Sequence, residues 1–172
     1  VEVYYACMRA GYRVTPINWH LKGDNASYIV ENSEAKAFIA DIRCAEPAID
    51  ALRDNLKNVK IALSVGGHIE GFDAYDDKLK DIDDSNLSDP EIGTSMLYTS
   101  GTTGRARGTQ TRWVLAPVDT HREYLSKLRE RAQFPDGPHI VVGPLQHNGP
   151  LTAVRHLLLG RPVVIVGKFD GA

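Results

Sequence analysis

Apolar positions recur along this chain in two rhythms, one helical and one of strand length, and the two alternate. A helix-spaced apolar run over residues 1–10 ends at Gly11, and the R-V-T-P string of residues 13–16 reads as a short strand. Asp24 reads as the N-cap of a helix that carries Ala26, Ile29 and Val30 on one face and closes near Ser33. Residues 35–40 form an apolar run of strand length, residues 45–56 return to helical spacing, and residues 59–65 give another strand. This alternation predicts an α/β fold, with layers of parallel sheet and flanking helices.

The pattern breaks after Gly66 and Gly67. Residues 70–90 are acidic, with lysines among the carboxylates and no metal-ligand spacing, so they read as a solvated connector. They divide the chain into an α/β segment, residues 1–90, and a second segment, residues 91–172. In the second, residues 93–98 read as a strand and residues 118–132 as helix. Residues 139–142, 151–159 and 162–166 then read as strand, helix and strand. The first residue already lies inside a helical run, and Asp170 is placed to cap a helix that does not follow, so both ends read as cut.

Composition removes several classes of function. With 20 basic against 22 acidic residues there is no cationic excess to meet a nucleic-acid backbone. No apolar run is long enough for a bilayer, and no secretory leader opens the chain, so a cytoplasmic protein without a transmembrane segment is expected. Cys7 and Cys44 are too few for a disulfide framework, and the 6 histidines never fall into zinc-like spacing. Both cysteines read as reduced and structural.

Candidate chemistry gathers in one loop, Y-T-S-G-T-T-G-R-A-R-G over residues 98–108. Gly101, Gly104 and Gly108 let the backbone turn sharply and approach a ligand without a Cβ in the way. Successive N–H groups in such a turn converge on an anion. Thr99, Ser100, Thr102 and Thr103 add hydroxyl donors, and Arg105 and Arg107 add guanidinium groups able to grip phosphate with paired donors. The string is neither a Walker loop nor a dinucleotide fingerprint. It follows a strand and precedes an extended stretch, residues 109–114, which predicts a hairpin. Taken alone, it suits a polyphosphate.

The T-S-G-T-T-G string, with a basic residue and Gly108 behind it, resembles the signature loop of the adenylate-forming superfamily, which includes acyl-CoA synthetases, luciferases and peptide-synthetase adenylation domains. The resemblance implies that Thr99, Ser100, Gly101, Thr102, Thr103 and Gly104 hold the β- and γ-phosphates of ATP, with Arg107 at the family's lysine position. It also implies that Mg²⁺ touches the Thr99 hydroxyl. Ala106 stands where the family commonly has proline, which softens the loop. Residues 143–150, G-P-L-Q-H-N-G-P, resemble the second core motif, and on that match His147 faces the carboxylate and adenylate. Gln146 departs from the usual aromatic there.

Residues 10–18, 28–36 and 159–170 resemble other parts of acyl-CoA synthetases, so the likeness runs along nearly the whole chain. The expectation is therefore an incomplete part of the N-terminal domain of an adenylate-forming enzyme, without the C-terminal domain that bears the family's lysine. The implied partners are a carboxylic acid, ATP and CoA, and a homodimer is left open as the assembly. Three alternatives stand beside this reading: a non-catalytic nucleotide-binding domain, a structural α/β domain, and a part of another adenylate-forming enzyme.

Overall fold

Alternating helical and strand-length runs fold here into parallel strands joined by helices. The structure, a computed structural model, describes residues 1–21, 23–88, 93–99, 105–111, 126, 130 and 137–167. The chain falls into two compact units, each drawn from separate stretches of sequence.

One unit comprises Ile17–Asn86 and Tyr98–Gly108. Its sheet is built from β2 (Ala37–Asp41), β3 (Ile61–Val65) and β4 (Asp73–Ala74), all parallel, with Ala37 opposite Ile61 and Leu63 opposite Asp73. Parallel pairing needs a crossover, which α3 (Ala45–Asn55) supplies between β2 and β3. Ahead of the sheet, α2 (Asp24–Asn32) packs on α3. The contact is possible because small side chains recur at helical spacing, with Ala26 on α2 and Ala48 and Ala51 on α3 buried there. Asn55 stitches the pair: its Nδ2 donates to the Ser27 carbonyl and the Ser27 hydroxyl, both at 3.2 Å, and to the Ala51 carbonyl at 2.9 Å. Buried and bonded three ways, this amide costs little in the core.

Helix α2 closes at Ser33 as its spacing predicts, and differs from the sequence-based expectation at its start. Its N-cap is Gly23, at φ 54°, and Asp24 is the first helical residue. A carboxylate in the first turn still faces the positive end of the helix dipole, so Asp24 helps the start without capping it. At the other end the Ala35 N–H reaches the Val30 carbonyl and the Glu34 N–H reaches the Glu31 carbonyl, the paired bonds of a Schellman motif. That motif requires a left-handed residue, and here it is Glu34, at φ 56°, where glycine is usual.

The acidic stretch is more than a connector. Residues 73–79 form β4 and the short helix α4 (Tyr75–Leu79), and just before them Ile69 and Phe72 are buried in the core. They join Val30, Leu52 and Val59 in one cluster, and the Phe38 ring packs against it, its centroid 5.6 Å from that of Phe72. Each such side chain contributes roughly 1.5–3 kcal/mol by leaving water. A few apolar residues thus outweigh the charged neighbours that dominate the composition.

The other unit comprises Val1–Pro16, Leu87–Leu97 and Thr109–Ala172. After α1 (Glu2–Arg9), β1 (Arg13–Val14) pairs in parallel with β5 (Thr94–Thr99), Arg13 opposite Thr94. Strand β6 (Arg107–Thr111) lies on the far side of β5, and the tips of both β5 and β6 are counted with the first unit described. Gly93 enters β5 through a gap that admits no side chain. A Cβ there would lie 2.4 Å from the Tyr12 carbonyl oxygen and 2.6 Å from that of Cys7, and its N–H bonds the Met8 carbonyl at 2.6 Å.

Further on, β7 (His139–Val141) and β8 (Val163–Ile165) pair in parallel. They are linked by α5 (Asn148–Ala153) and a 3₁₀ turn, Val154–Leu159, where a single longer helix was expected. Leu97, Leu151 and Val154 make the core, with Tyr4, Tyr5, Leu145 and Val163 packed on it, and the Tyr5 hydroxyl donates to the Val154 carbonyl. The helix expected over residues 118–132 lies outside the described residues apart from Ser126 and Glu130, both helical. No helix among the described residues is long and apolar enough to cross a membrane.

Candidate phosphate-binding site

Strand β5 alternates, burying Ser95 and Leu97 while its last residue, Thr99, is exposed. Arg107 opens β6 and is also exposed. Thr99 therefore ends one strand and Arg107 begins its neighbour, on either side of the glycine-rich stretch in sequence. Ser100, Gly101, Thr102, Thr103 and Gly104, the centre of the predicted cradle, lie outside the described residues.

Described residues before and after that stretch, its two stems, meet α2. The Tyr98 hydroxyl donates to Asn32 Oδ1 at 2.7 Å, and the Tyr98 ring stands edge-on to that of Tyr28, centroids 6.4 Å apart at 85°. On the other stem the Arg105 guanidinium lies over the Tyr28 ring, Cζ 5.0 Å from its centroid. That is within cation–π range. Tyr28 and Asn32 are one turn apart on α2, off the face that buries Ala26, Ile29 and Val30. Sequence reasoning named Arg105 as a charge and passed over these partners. The signal was a polar pair at i, i+4 on a helix whose other face is apolar, which points outward without saying to what.

Among the described residues the ion pairs join Arg43 to Asp41, Arg53 to Asp50, Lys78 to Asp73 and Lys80 to Asp77, and none of them takes Arg105 or Arg107. The donor set at the stems, a hydroxyl and two guanidinium groups, suits phosphate oxygens. One hydroxyl alone does not make a magnesium site, because that ion takes six oxygens. Thr99 would fit only as one ligand among several, the other oxygens coming from outside the described residues.

His147 belongs to the other unit. It follows β7 as the N-cap residue of α5, its carbonyl accepting from the Leu151 N–H at 3.0 Å and its own N–H donating to the Pro144 carbonyl at 3.1 Å. The backbone is thus fixed while the imidazole is exposed and makes no capping bond. Past the carboxyl end of a parallel strand is where α/β folds place ligand-facing residues. Cys7 and Cys44 are free thiols, both half-buried, and burial pushes the Cys7 thiol above its ordinary pKa, away from nucleophilic use.

Known proteins resemble this chain along nearly all of its length. The sequence matches the family model described as AMP-binding enzyme over residues 1–171. It is 32% identical over 172 residues to the indoleacetate–CoA ligase of Aromatoleum aromaticum, covering 96% of this chain and 32% of that protein. The inhibitor-bound N-terminal domain of FACL13 from Mycobacterium tuberculosis has a TM-score of 0.63 at 20% identity, covering 98% of this chain and 47% of that one. ATP-bound MatB from Rhodopseudomonas palustris has a TM-score of 0.55 at 21% identity, covering 98% and 38%. The two solved structures speak for the fold, and the chain spans about a third of the length of the curated relative. On the match along its whole length, the chain belongs to the AMP-binding enzyme family.

Proposed function

We propose that this chain contributes the triphosphate grip of an acyl-CoA synthetase. In the reaction, a carboxylate oxygen of the acid attacks the α-phosphorus of ATP, and the α–β bridging bond breaks. Pyrophosphate leaves, and the CoA sulfur then attacks the acyl carbon and expels AMP. Negative charge builds on the phosphates at the first step, so fixed N–H donors and cations lower the barrier most. Thr99, Ser100, Gly101, Thr102, Thr103 and Gly104 would hold the β- and γ-phosphates, with Arg107 neutralising their charge and His147 facing the acid. Mg²⁺, when bound, would supply a Lewis acid to the phosphate oxygens, with Thr99 among its ligands.

The observation that supports this reading is that Thr99 ends β5 and Arg107 begins the neighbouring strand β6, in a chain of the AMP-binding family. Relatives named as ligases of indoleacetate and of medium-chain fatty acids favour an aromatic or fatty acid substrate. Two free thiols suit a cytoplasmic setting. The test is carboxylate-dependent ATP–pyrophosphate exchange by a full-length ligase carrying this segment. Arg107→Ala and Thr102→Val should each raise the KM for ATP by about tenfold, the scale of one lost charge-assisted bond. Exchange unaltered by both substitutions would contradict the assignment.

A further inference from the structure

We propose that Tyr28 is a positioning residue for polyphosphate binding: its ring restrains the Arg105 guanidinium without neutralising it, leaving its N–H donors to a phosphate. The inference rests on the loop being the triphosphate grip, and it adds a residue from a distant helix to that grip.

The argument starts from the cost of aiming a long side chain. An exposed arginine carries about 2 kcal/mol of rotamer entropy, so an unrestrained one rarely points at its target. Arg105 is exposed, yet its guanidinium lies 5.0 Å above the Tyr28 ring. A carboxylate partner would fix it equally well but would consume the N–H donors and cancel the charge. An aromatic face takes the plane of the guanidinium and leaves its edge available, so a phosphate can still be bound with two parallel bonds. Orientation is obtained without neutralisation.

Tyr28 is itself held. Its ring stands edge-on to Tyr98, whose hydroxyl is bonded to Asn32 at 2.7 Å. Tyr28 and Asn32 ride on α2 one turn apart, and the neighbouring Ile29 and Val30 are each 1% exposed. A continuous set of contacts therefore runs from a buried helix face through Tyr28 to a cation on one stem of the loop, and through Asn32 to the other stem. A surface Arg–Tyr stack with no such purpose would stabilise the chain slightly and leave anion binding alone.

Calorimetry with inorganic pyrophosphate separates these cases. Tyr28→Leu should weaken binding by roughly fivefold, the worth of one exposed cation–π contact. Tyr28→Phe, which keeps the ring, should bind as the unaltered chain does. In an Arg105→Gln background Tyr28→Leu should have less than a twofold further effect, because Tyr28 then has nothing to aim. The same factor in both backgrounds, or no effect of Tyr28→Leu, would overturn the inference while leaving the loop assignment intact. No pyrophosphate binding by the unaltered chain would remove both. Should Tyr28→Leu fail to fold, NMR of the unaltered chain decides: the Arg105 side-chain signals should shift as pyrophosphate saturates, and signals that stay put would refute the role.

Discussion

The two units of this chain are held together differently. In the unit formed by Ile17–Asn86 and Tyr98–Gly108, nine described side chains form one buried cluster between a parallel sheet and its helices. In the other, the described cluster has three, and Ile140, Val142, Val164 and Ile165 in and beside β7 and β8 are exposed. Both have a βαβ crossover, but the first packs small residues between two helices, while the second also joins strands far apart in sequence, as β1 with β5. The lesson is about the proposed phosphate loop. The residues flanking it, Tyr98 and Arg105, are tied to α2, in the unit with the larger described cluster, so the proposed grip has a packed support on that side.

The sharpest way to break this comparison is to open each core in turn. Phe72→Ala should cost about 3–5 kcal/mol and Leu151→Ala about 2–3 kcal/mol, because a smaller core with exposed neighbours collapses more readily around a cavity. Urea unfolding of both variants checks it. Equal losses would show that the two clusters are comparably packed.

A smaller effect, of opposite sign, is expected at the end of α2. Glu34→Gly should stabilise by about 0.5–1 kcal/mol, since a left-handed residue closing a Schellman motif is strained when it carries a Cβ. A higher melting temperature by calorimetry is the expected outcome. An unchanged one would mean that the greater freedom of glycine in the unfolded chain cancels the relief.

The smallest effect concerns pH. Side-chain and backbone hydrogen bonds with Arg43 hold the Asp41 carboxyl below its ordinary pKa at the end of β2. Since the folded value is the lower one, the contribution is fully present above the usual carboxylate range and fades as pH falls through the folded value. The urea midpoints of the unaltered chain and of Asp41→Asn should therefore differ at pH 7 and converge well below about pH 4. A gap that persists in acid would assign the effect to packing.

Much of this was legible in the sequence, for physical reasons. Segments with clean periodicity, α2, β2, α3 and β3, fell close to where hydrophobic spacing put them, because local burial and local pattern coincide. The acidic stretch was misleading, since composition averages over Ile69 and Phe72, and two apolar residues suffice to bring a strand and a short helix onto a sheet. Gly23 displaced Asp24 as the cap because side-chain chemistry predicts caps only where the backbone turn allows. The pairing of β1 with β5, some eighty residues away, has no signature in a single sequence. At the candidate site, glycines, hydroxyls and cations were the signal from which a phosphate loop is proposed. The Tyr28, Tyr98 and Asn32 support could not be read, because it joins a helix to a loop that the sequence keeps far apart.

The account depends on residues 99–108 gripping polyphosphate, and direct titration of the chain with Mg²⁺ and ATP tests this most simply. Saturable binding that weakens by about tenfold in Arg107→Ala, with the fold unchanged by circular dichroism, is the predicted result. A folded chain that gives no binding heat with ATP or with pyrophosphate would contradict it.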